Sequence, residues 1–361
     1  MKLIHCADLH LDSKIERIPP EKSKIRRNEL VRTFEKLCEY AKENGVTAVI
    51  IAGDMFDAKR ITSKTRGRVV SAIAAAPEVD FLYLSGNHDD ESFINDEESD
   101  IKLPDNLKVF TEEWSGFSYG NVNVAGIVLT KSNAKYIYDG LALPENGVNI
   151  VILHGQIAGY RSEENAEIIS IPRFKGKNVD YLALGHIHSY AEGKIDDRGI
   201  YVYSGCLDGR GFDETGEKGF VLIEVSEGKI SREFIPFSSR ILYEHEFDIT
   251  DYEDWFVAER ALIAELKEKY EQSSLIKVIL KGEHRADFEP DAEGLTQRLN
   301  EIFFFAKVYD KSELKICAED YAEDRSVRGE FVRAVLASEL SEEKKTAVLM
   351  TGLNALKGEK L

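Results

Sequence analysis

Five short apolar runs, rich in β-branched residues, each break off into a polar cluster. Residues 3–7 lead to Asp8-Leu9-His10, 48–52 to Gly53-Asp54-Met55-Phe56-Asp57, 81–84 to Ser85-Gly86-Asn87-His88-Asp89, 150–153 to His154-Gly155, and 181–184 to Gly185-His186-Ile187-His188. Continuous apolar runs of this length suit strands buried on both faces, as in a sheet covered by helices. Helices are predicted near residues 24–43 and 62–76, between the first three runs. In such folds ligands bind just beyond the carboxyl ends of the strands, which is where every one of these clusters sits. The five clusters can therefore converge on one site.

The chain of 361 residues, 43% hydrophobic and 31% charged, can bury a sizeable core. Its apolar runs fall short of the roughly 18 residues a membrane span needs, and Asp8 interrupts the N-terminal run too early for a signal peptide. Cys6, Cys38, Cys206 and Cys317 have no CxxC spacing and read as the reduced thiols of a cytoplasmic protein. From residue 190 to 236 closely spaced strands with Gly turns suggest a meander. A strand at 241–249, a helix at 254–270, a strand at 275–282, a helix at 295–304 and a strand at 314–318 then predict a small second α/β domain. After an acidic stretch at 319–325 come two amphipathic helices. Ser326 and Ser341 are their candidate N-caps, and Phe331, Val335, Leu349, Leu353 and Leu356 line their apolar faces.

One histidine at a strand end would read as a core or turn residue. Five of them (His10, His88, His154, His186 and His188), accompanied by Asp8, Asp54 and Asn87, read as a metal site. The Asp8/His10 and His186/His188 pairs have i, i+2 spacing, so both side chains of an extended segment point the same way. Imidazoles, carboxylates and a carboxamide without thiolate suit Mn, Fe or Zn with open positions better than structural zinc. The candidate ligands are too many for one such ion and enough for two that share a carboxylate. Two divalent ions about 3.5–4 Å apart can activate water and stabilise both oxygens of an in-line displacement at phosphorus.

In this order, these motifs resemble the five phosphoesterase motifs of the calcineurin-like metallophosphoesterase superfamily. More narrowly, the opening Ile4-His5-Cys6-Ala7-Asp8-Leu9-His10-Leu11 and His154-Gly155-Gln156 resemble SbcD-type DNA repair exonucleases. So do Tyr203-Ser204-Gly205, Phe212-Asp213-Glu214 and Lys218-Gly219. The resemblance is specific over residues 1–240. It implies an α/β fold, a four-layer β-sandwich flanked by helices, with a smaller C-terminal α/β cap domain and terminal helices. The domains would be a nuclease domain at 1–240, a cap-like domain at 241–318, and a helical segment at 319–361 for partner docking.

By the same resemblance, Asp8, His10, Asp54, Asn87, His154, His186 and His188 would hold two divalent ions. Mn2+ is the expected metal, with Fe and Zn as alternatives, and Asp54 would bridge the pair. His88 would be the catalytic histidine at the scissile phosphate or leaving oxygen. Asp89 would orient His88 or cap a helix, and Asp57 would fix its loop. The implied activity is a metal-dependent DNA exonuclease, with single-strand endonuclease activity as a further expectation. It would work in DNA repair as a homodimer with an SbcC-like coiled-coil ATPase and without a membrane. The alternative is a phosphoesterase acting on a nucleotide, a small phosphodiester or a phosphoprotein.

The net charge of −18 runs against nucleic-acid binding when read globally. Locally, Lys59, Arg60, Lys64, Arg66 and Arg68 place five cations directly after the second motif, where they read either as phosphate contacts or as a solvated helix face. Arg210, in a Gly-rich segment, reads either as a phosphate contact or as a turn residue. Residues 241–361 hold 17 cations and 27 acids, which speaks against a strongly DNA-gripping cap.

Overall fold

Apolar residues without polar alternation form β1 (Lys2–Cys6), β2 (Ala48–Ala52) and β3 (Asp80–Leu84), each buried along nearly its whole length. A computed structural model describes residues 1–57, 61–89, 93–94, 101–158, 167–285, 288, 290–315, 321 and 324–357. Within it β1, β2, β3 and β4 (Leu107–Val109) pair in parallel, with Leu3 opposite Ala48, Val49 opposite Phe81, and Phe81 opposite Leu107. The crossovers run through α1 (Pro20–Glu43) and α2 (Ser63–Ala74). Pro20 stands in the first turn of α1, where its missing N–H removes nothing from the helix. The Thr62 side chain caps α2 by accepting from the Thr65 N–H.

A second sheet gathers β5 (Ser115–Tyr119), β6 (Val122–Gly126), β7 (Val148–His154), β10 (Tyr181–Gly185), β11 (Ala191–Lys194) and β12 (Ile200–Tyr203). Its order is β11-β12-β10-β7-β6-β5, with β6, β7, β10 and β12 parallel. Between these strands lie a short helix, α3 (Ile137–Gly140), and a two-residue parallel pair, β8 (Gln156–Ile157) with β9 (Ile168–Ile169). The strands β13 (Gly219–Ser226) and β14 (Lys229–Pro236) return to the first sheet, antiparallel beside β1. Residues 190–236 are therefore not one meander. The Gly turns are local signals, and they do not specify that two strands close one sheet and two the other.

Successive residues of each strand face different layers. Leu3, Ile50 and Leu82 share a core with Val124, Ile152 and Ala183 between the two sheets. Ile4, Val49, Ile51 and Phe81 pack under Leu30, Phe34 and Leu37 of α1 and Val69 and Ile73 of α2. Val151, Leu153, Leu182 and Leu184 pack outward against Ile137, Tyr138 and Phe174. The result is the four-layer α/β sandwich that the motifs imply. Each fully buried Leu or Phe stabilises it by about 1.5–3 kcal/mol. Cys6, Cys38 and Cys206 are buried free thiols; Cys317 lies outside the described residues.

The chain divides into two compact units, Met1–Leu242 and Tyr243–Leu361. In the second, β15 (Leu242–Asp248), β16 (Leu275–Lys281) and β18 (Phe305–Asp310) form a three-stranded sheet, with α4 (Trp255–Lys269) and α5 (Ala292–Ile302) between them. The two-residue strands β17 (Glu283–His284) and β19 (Glu313–Leu314) pair beside it. The third long strand thus lies earlier than the predicted 314–318. The apolar run of Phe303 to Ala306 continues the helical pattern of α5, yet Phe305 opens β18 opposite Leu275. Residues 316–318 lie outside the described residues. Ser326 caps α6 (Val327–Leu336), accepting from the Gly329 N–H. The helices α6 and α7 (Glu342–Lys357) pack on each other through Val332, Val335, Leu349 and Leu353, with Tyr321 beside them. Leu356 is exposed. Among the described residues no helix is long and apolar enough to cross a membrane.

Candidate metal centre

Polar residues follow the carboxyl ends of β1, β2 and β3 in one sheet and of β7 and β10 in the other, and the two sheets bring them together. The loops after β1 and β2 are zipped to each other: Asp8 N–H donates to Gly53 O and His10 N–H to Asp54 O, both at 3.0 Å. Four of the residues so placed, Asp8, His10, Asp54 and His186, have φ of 52°, 45°, 50° and 101°. Side-chain-bearing residues rarely adopt these values, which cost about 1–3 kcal/mol each and cluster at functional sites. Gly86 permits a close approach: a Cβ there would run into the carboxylate and backbone N of Asp54.

Two groups of the expected ligands have metal-ligand spacing, Asp8/His10/His188 and Asp54/His154/His186; a third group, His10/Asp57/His88, shares His10 with the first. His10 Nε2 and His188 Nε2 stand 3.1 Å apart. His154 Nε2 lies 3.0 Å from Asn87 Oδ1 and 3.2 Å from Asp54 Oδ2, and His186 Nδ1 lies 3.2 Å from Asn87 Oδ1. Atoms bound to one ion at about 2.1 Å and at right angles are about 3 Å from each other, so these separations suit shared ions. Asp54 Oδ2 is also 4.0 Å from His10 Nε2, which places the carboxylate between the groups. All seven expected ligands are therefore gathered in one place.

The far sides of the rings support the same use. His154 Nδ1 donates to Ala52 O at 2.9 Å and His188 Nδ1 to Glu214 Oε1 at 2.8 Å, leaving each Nε2 facing the cluster. Metal-bound imidazoles are ordinarily held in this way. Among the described residues His10 Nδ1 is buried with no hydrogen-bond partner. Burial, with the Arg210 charge adding to it, pushes the His10 imidazole down to about 3, so it is the neutral ligand form at physiological pH. Burial would likewise lower His154, but the Asp54 carboxylate beside it lifts it to about 9. Burial is the largest influence on Asp54 and acts to raise it; His154, His10 and the His88 N–H together outweigh that and hold the carboxyl low. The donor set and the neutral His10 ring fit two divalent cations.

His88 sits at the edge of the cluster, its backbone N–H donating to Asp54 Oδ1 at 2.9 Å and its Nδ1 3.1 Å from Asp57 Oδ1. The carboxylate on the His88 ring is thus Asp57. Asp89, expected to orient His88 or cap a helix, instead accepts from the N–H groups of Met55, Phe56 and Gly86, tying the second motif loop to the third. The sequence motifs assign Glu214 no role, because a partner 26 residues from His188 leaves no local signal. Lys59 and Arg60 lie outside the described residues. Of the other cations after the second motif, Arg66 is buried and donates to Phe93 O and Ile101 O, and Arg68 makes a paired contact with Glu35. Lys64 is exposed. Arg210 stands at the centre, but its guanidinium is engaged by Asp57 and Glu214.

The sandwich and its two-sided polar site define a phosphoesterase, and the chain belongs to the calcineurin-like phosphoesterase family, whose model matches residues 1–190. That family hydrolyses phosphoesters at a dinuclear metal site. The chain is similar to the uncharacterized metallophosphoesterase YhaO of Bacillus subtilis, 28% identical over 65% of this chain and 60% of that protein. It is also similar to the DNA double-strand break repair protein Mre11 of Methanosarcina acetivorans, 27% identical over 74% of this chain and 44% of that one. The Mre11 protein of Aeropyrum pernix is 25% identical over 69% and 64%. The chain thus covers less than two thirds of the length of these relatives.

Proposed function

We propose that this chain is a Mn2+-dependent DNA phosphodiesterase of the SbcD type, acting at ends or on single strands in DNA repair. The observation that carries the reading is the pair of ligand groups meeting at Asp54, with His88 at their edge. Asp8, His10 and His188 would hold one ion and Asn87, His154 and His186 the other, with Asp54 bridging. Bound there, the two ions supply positive charge to both oxygens of an in-line displacement at phosphorus and water acidified for attack. Asp57 holds His88 through Nδ1, so a proton passed to a leaving oxygen comes from Nε2. The backbone N–H of His88 keeps Asp54 turned toward the cluster while that proton moves.

DNA as substrate is supported by the two relatives named as double-strand break repair proteins. The exposed cations Lys24, Arg27 and Lys64, lining a groove of about 130 Å3 with Asp12, offer contacts to a phosphate backbone. A homodimer and an SbcC-like coiled-coil ATPase complete the proposal, with residues 319–361 as the docking segment, although α6 and α7 already bury apolar residues against each other. The test sets end-labelled linear duplex and single-stranded DNA beside bis(p-nitrophenyl) phosphate, each with Mn2+. Metal-dependent shortening of DNA is expected; hydrolysis of the small diester with DNA left intact would refute the substrate assignment.

A further inference from the structure

Three side chains outside the ligand set form one hydrogen-bonded arc around it. Arg210 donates from Nη1 to Asp57 Oδ2 at 3.0 Å, and from Nε and Nη2 to Glu214 Oε1 at 3.1 and 2.8 Å. Its backbone N–H donates to Glu214 Oε2 at 2.6 Å. Each carboxylate also holds an imidazole: Asp57 Oδ1 takes His88 Nδ1, and Glu214 Oε1 takes His188 Nδ1. One guanidinium therefore ties together a histidine that follows β3 in the first sheet and one that follows β10 in the second.

The segment that carries Arg210 is itself anchored. The fully buried Arg26 of α1 donates from Nη2 to Asp208 Oδ1 at 2.8 Å and to Gly209 O at 2.6 Å. Thr33 and Ser239 donate to the other oxygen of Asp208. Arg210 thus extends from a fixed point. Its planar fork suits two carboxylates at once, a geometry a lysine ammonium does not reproduce. Arg210 has five N–H donors and directs three at these carboxylates.

We propose that Arg210, acting through Asp57 and Glu214, is a positioning residue that orients His88 and His188 as one unit. The proposal rests on the two-metal phosphoesterase reading of the same site. Without the guanidinium, two carboxylates would stand uncompensated beside the ligand nitrogens, and each could turn toward a cation instead of holding its ring.

The experiment uses the full chain stripped of metal. Mn2+ binding is measured by calorimetry, steady-state hydrolysis of bis(p-nitrophenyl) phosphate gives kcat and KM, and thermal unfolding checks the fold. For Arg210→Met, kcat and Mn2+ affinity should each fall about 10–100-fold, as for other residues that support metal ligands, with KM nearly unchanged. Arg210→Lys should restore little. Adding Arg210→Met to Asp57→Asn should lower kcat far less than the product of the single effects, because the residues act as a unit. A raised KM with unchanged kcat and Mn2+ affinity would overturn the proposal and make Arg210 a substrate contact; unchanged values throughout would overturn it as well. If Arg210→Met does not fold, Arg210→Lys decides by the same readouts. A wild-type chain that binds Mn2+ but leaves both the diester and linear or single-stranded DNA intact would refute the functional reading alone, and the shift in Mn2+ affinity would still decide this one.

Discussion

At the scale of single residues, chemistry and backbone are coupled. The positive φ values of Asp8, His10, Asp54 and His186 aim their side chains inward, and the zipped loops after β1 and β2 hold that strain. His88 differs, because its backbone N–H serves Asp54 while its ring serves the reaction. His88→Ala should therefore lower cleavage by about 10²–10⁴-fold while the number of bound Mn2+ ions stays at two. Kinetics and calorimetry on one preparation check this, and undiminished cleavage would remove the ring from the mechanism. Gly86→Ala should do the opposite. Its Cβ meets Asp54, so metal binding should weaken and stability should drop by about 1–3 kcal/mol in urea unfolding. The clustering of the seven candidate ligands was legible in the sequence because each stands where an apolar run stops. Asp57, Asp89 and Glu214 were not, since their partners are set by how separate loops meet rather than by spacing along one segment.

At the scale of elements, α1 is joined to the segment behind the site by buried charge. Arg26 contacts Asp208, Glu29 and Ser239, and Arg240 reaches the same Glu29. Replacing Arg26 with Met leaves Asp208 buried without its cation and should cost about 3–5 kcal/mol in denaturant unfolding. Burial acts to raise Glu29, but hydrogen bonds from Arg240 and Arg26 overcome it and hold the carboxyl below its usual 4.5. The unfolded chain then takes up this proton first, so the stabilisation is present above about pH 4.5 and fades as pH falls further. Glu29→Gln should accordingly destabilise more at about pH 7 than at about pH 3.5; equal losses would take this ion pair out of the pH dependence. Arg26 is one of several cations along α1. Its burial follows from the face of α1 that turns inward, which a charge count does not reveal. The boundary between α5 and β18 was hidden for a related reason: one apolar run there serves a helix end and a strand start.

For the whole molecule, two sheets supply one site, and neither alone carries both ligand groups. In the proposed reading a net charge of −18 is compatible with a phosphoesterase, because the cations the reaction needs would be bound at the strand ends rather than spread over the surface. The same charge predicts weak, salt-sensitive DNA binding by the isolated chain. Affinity should fall at least about tenfold between about 50 and 200 mM salt in fluorescence anisotropy with labelled duplex, and a salt-independent affinity would contradict a backbone-contact mode. The central claim is that two divalent ions, bridged by Asp54, cleave DNA. Its most direct measurement is a Mn2+ titration of the metal-free chain, following bound ions and release of nucleotides from linear duplex together. The account predicts two ions per chain, cleavage that rises with occupancy of the second, and loss of both the second ion and cleavage in Asp54→Asn. Saturation at one ion, or full cleavage by Asp54→Asn, would contradict it.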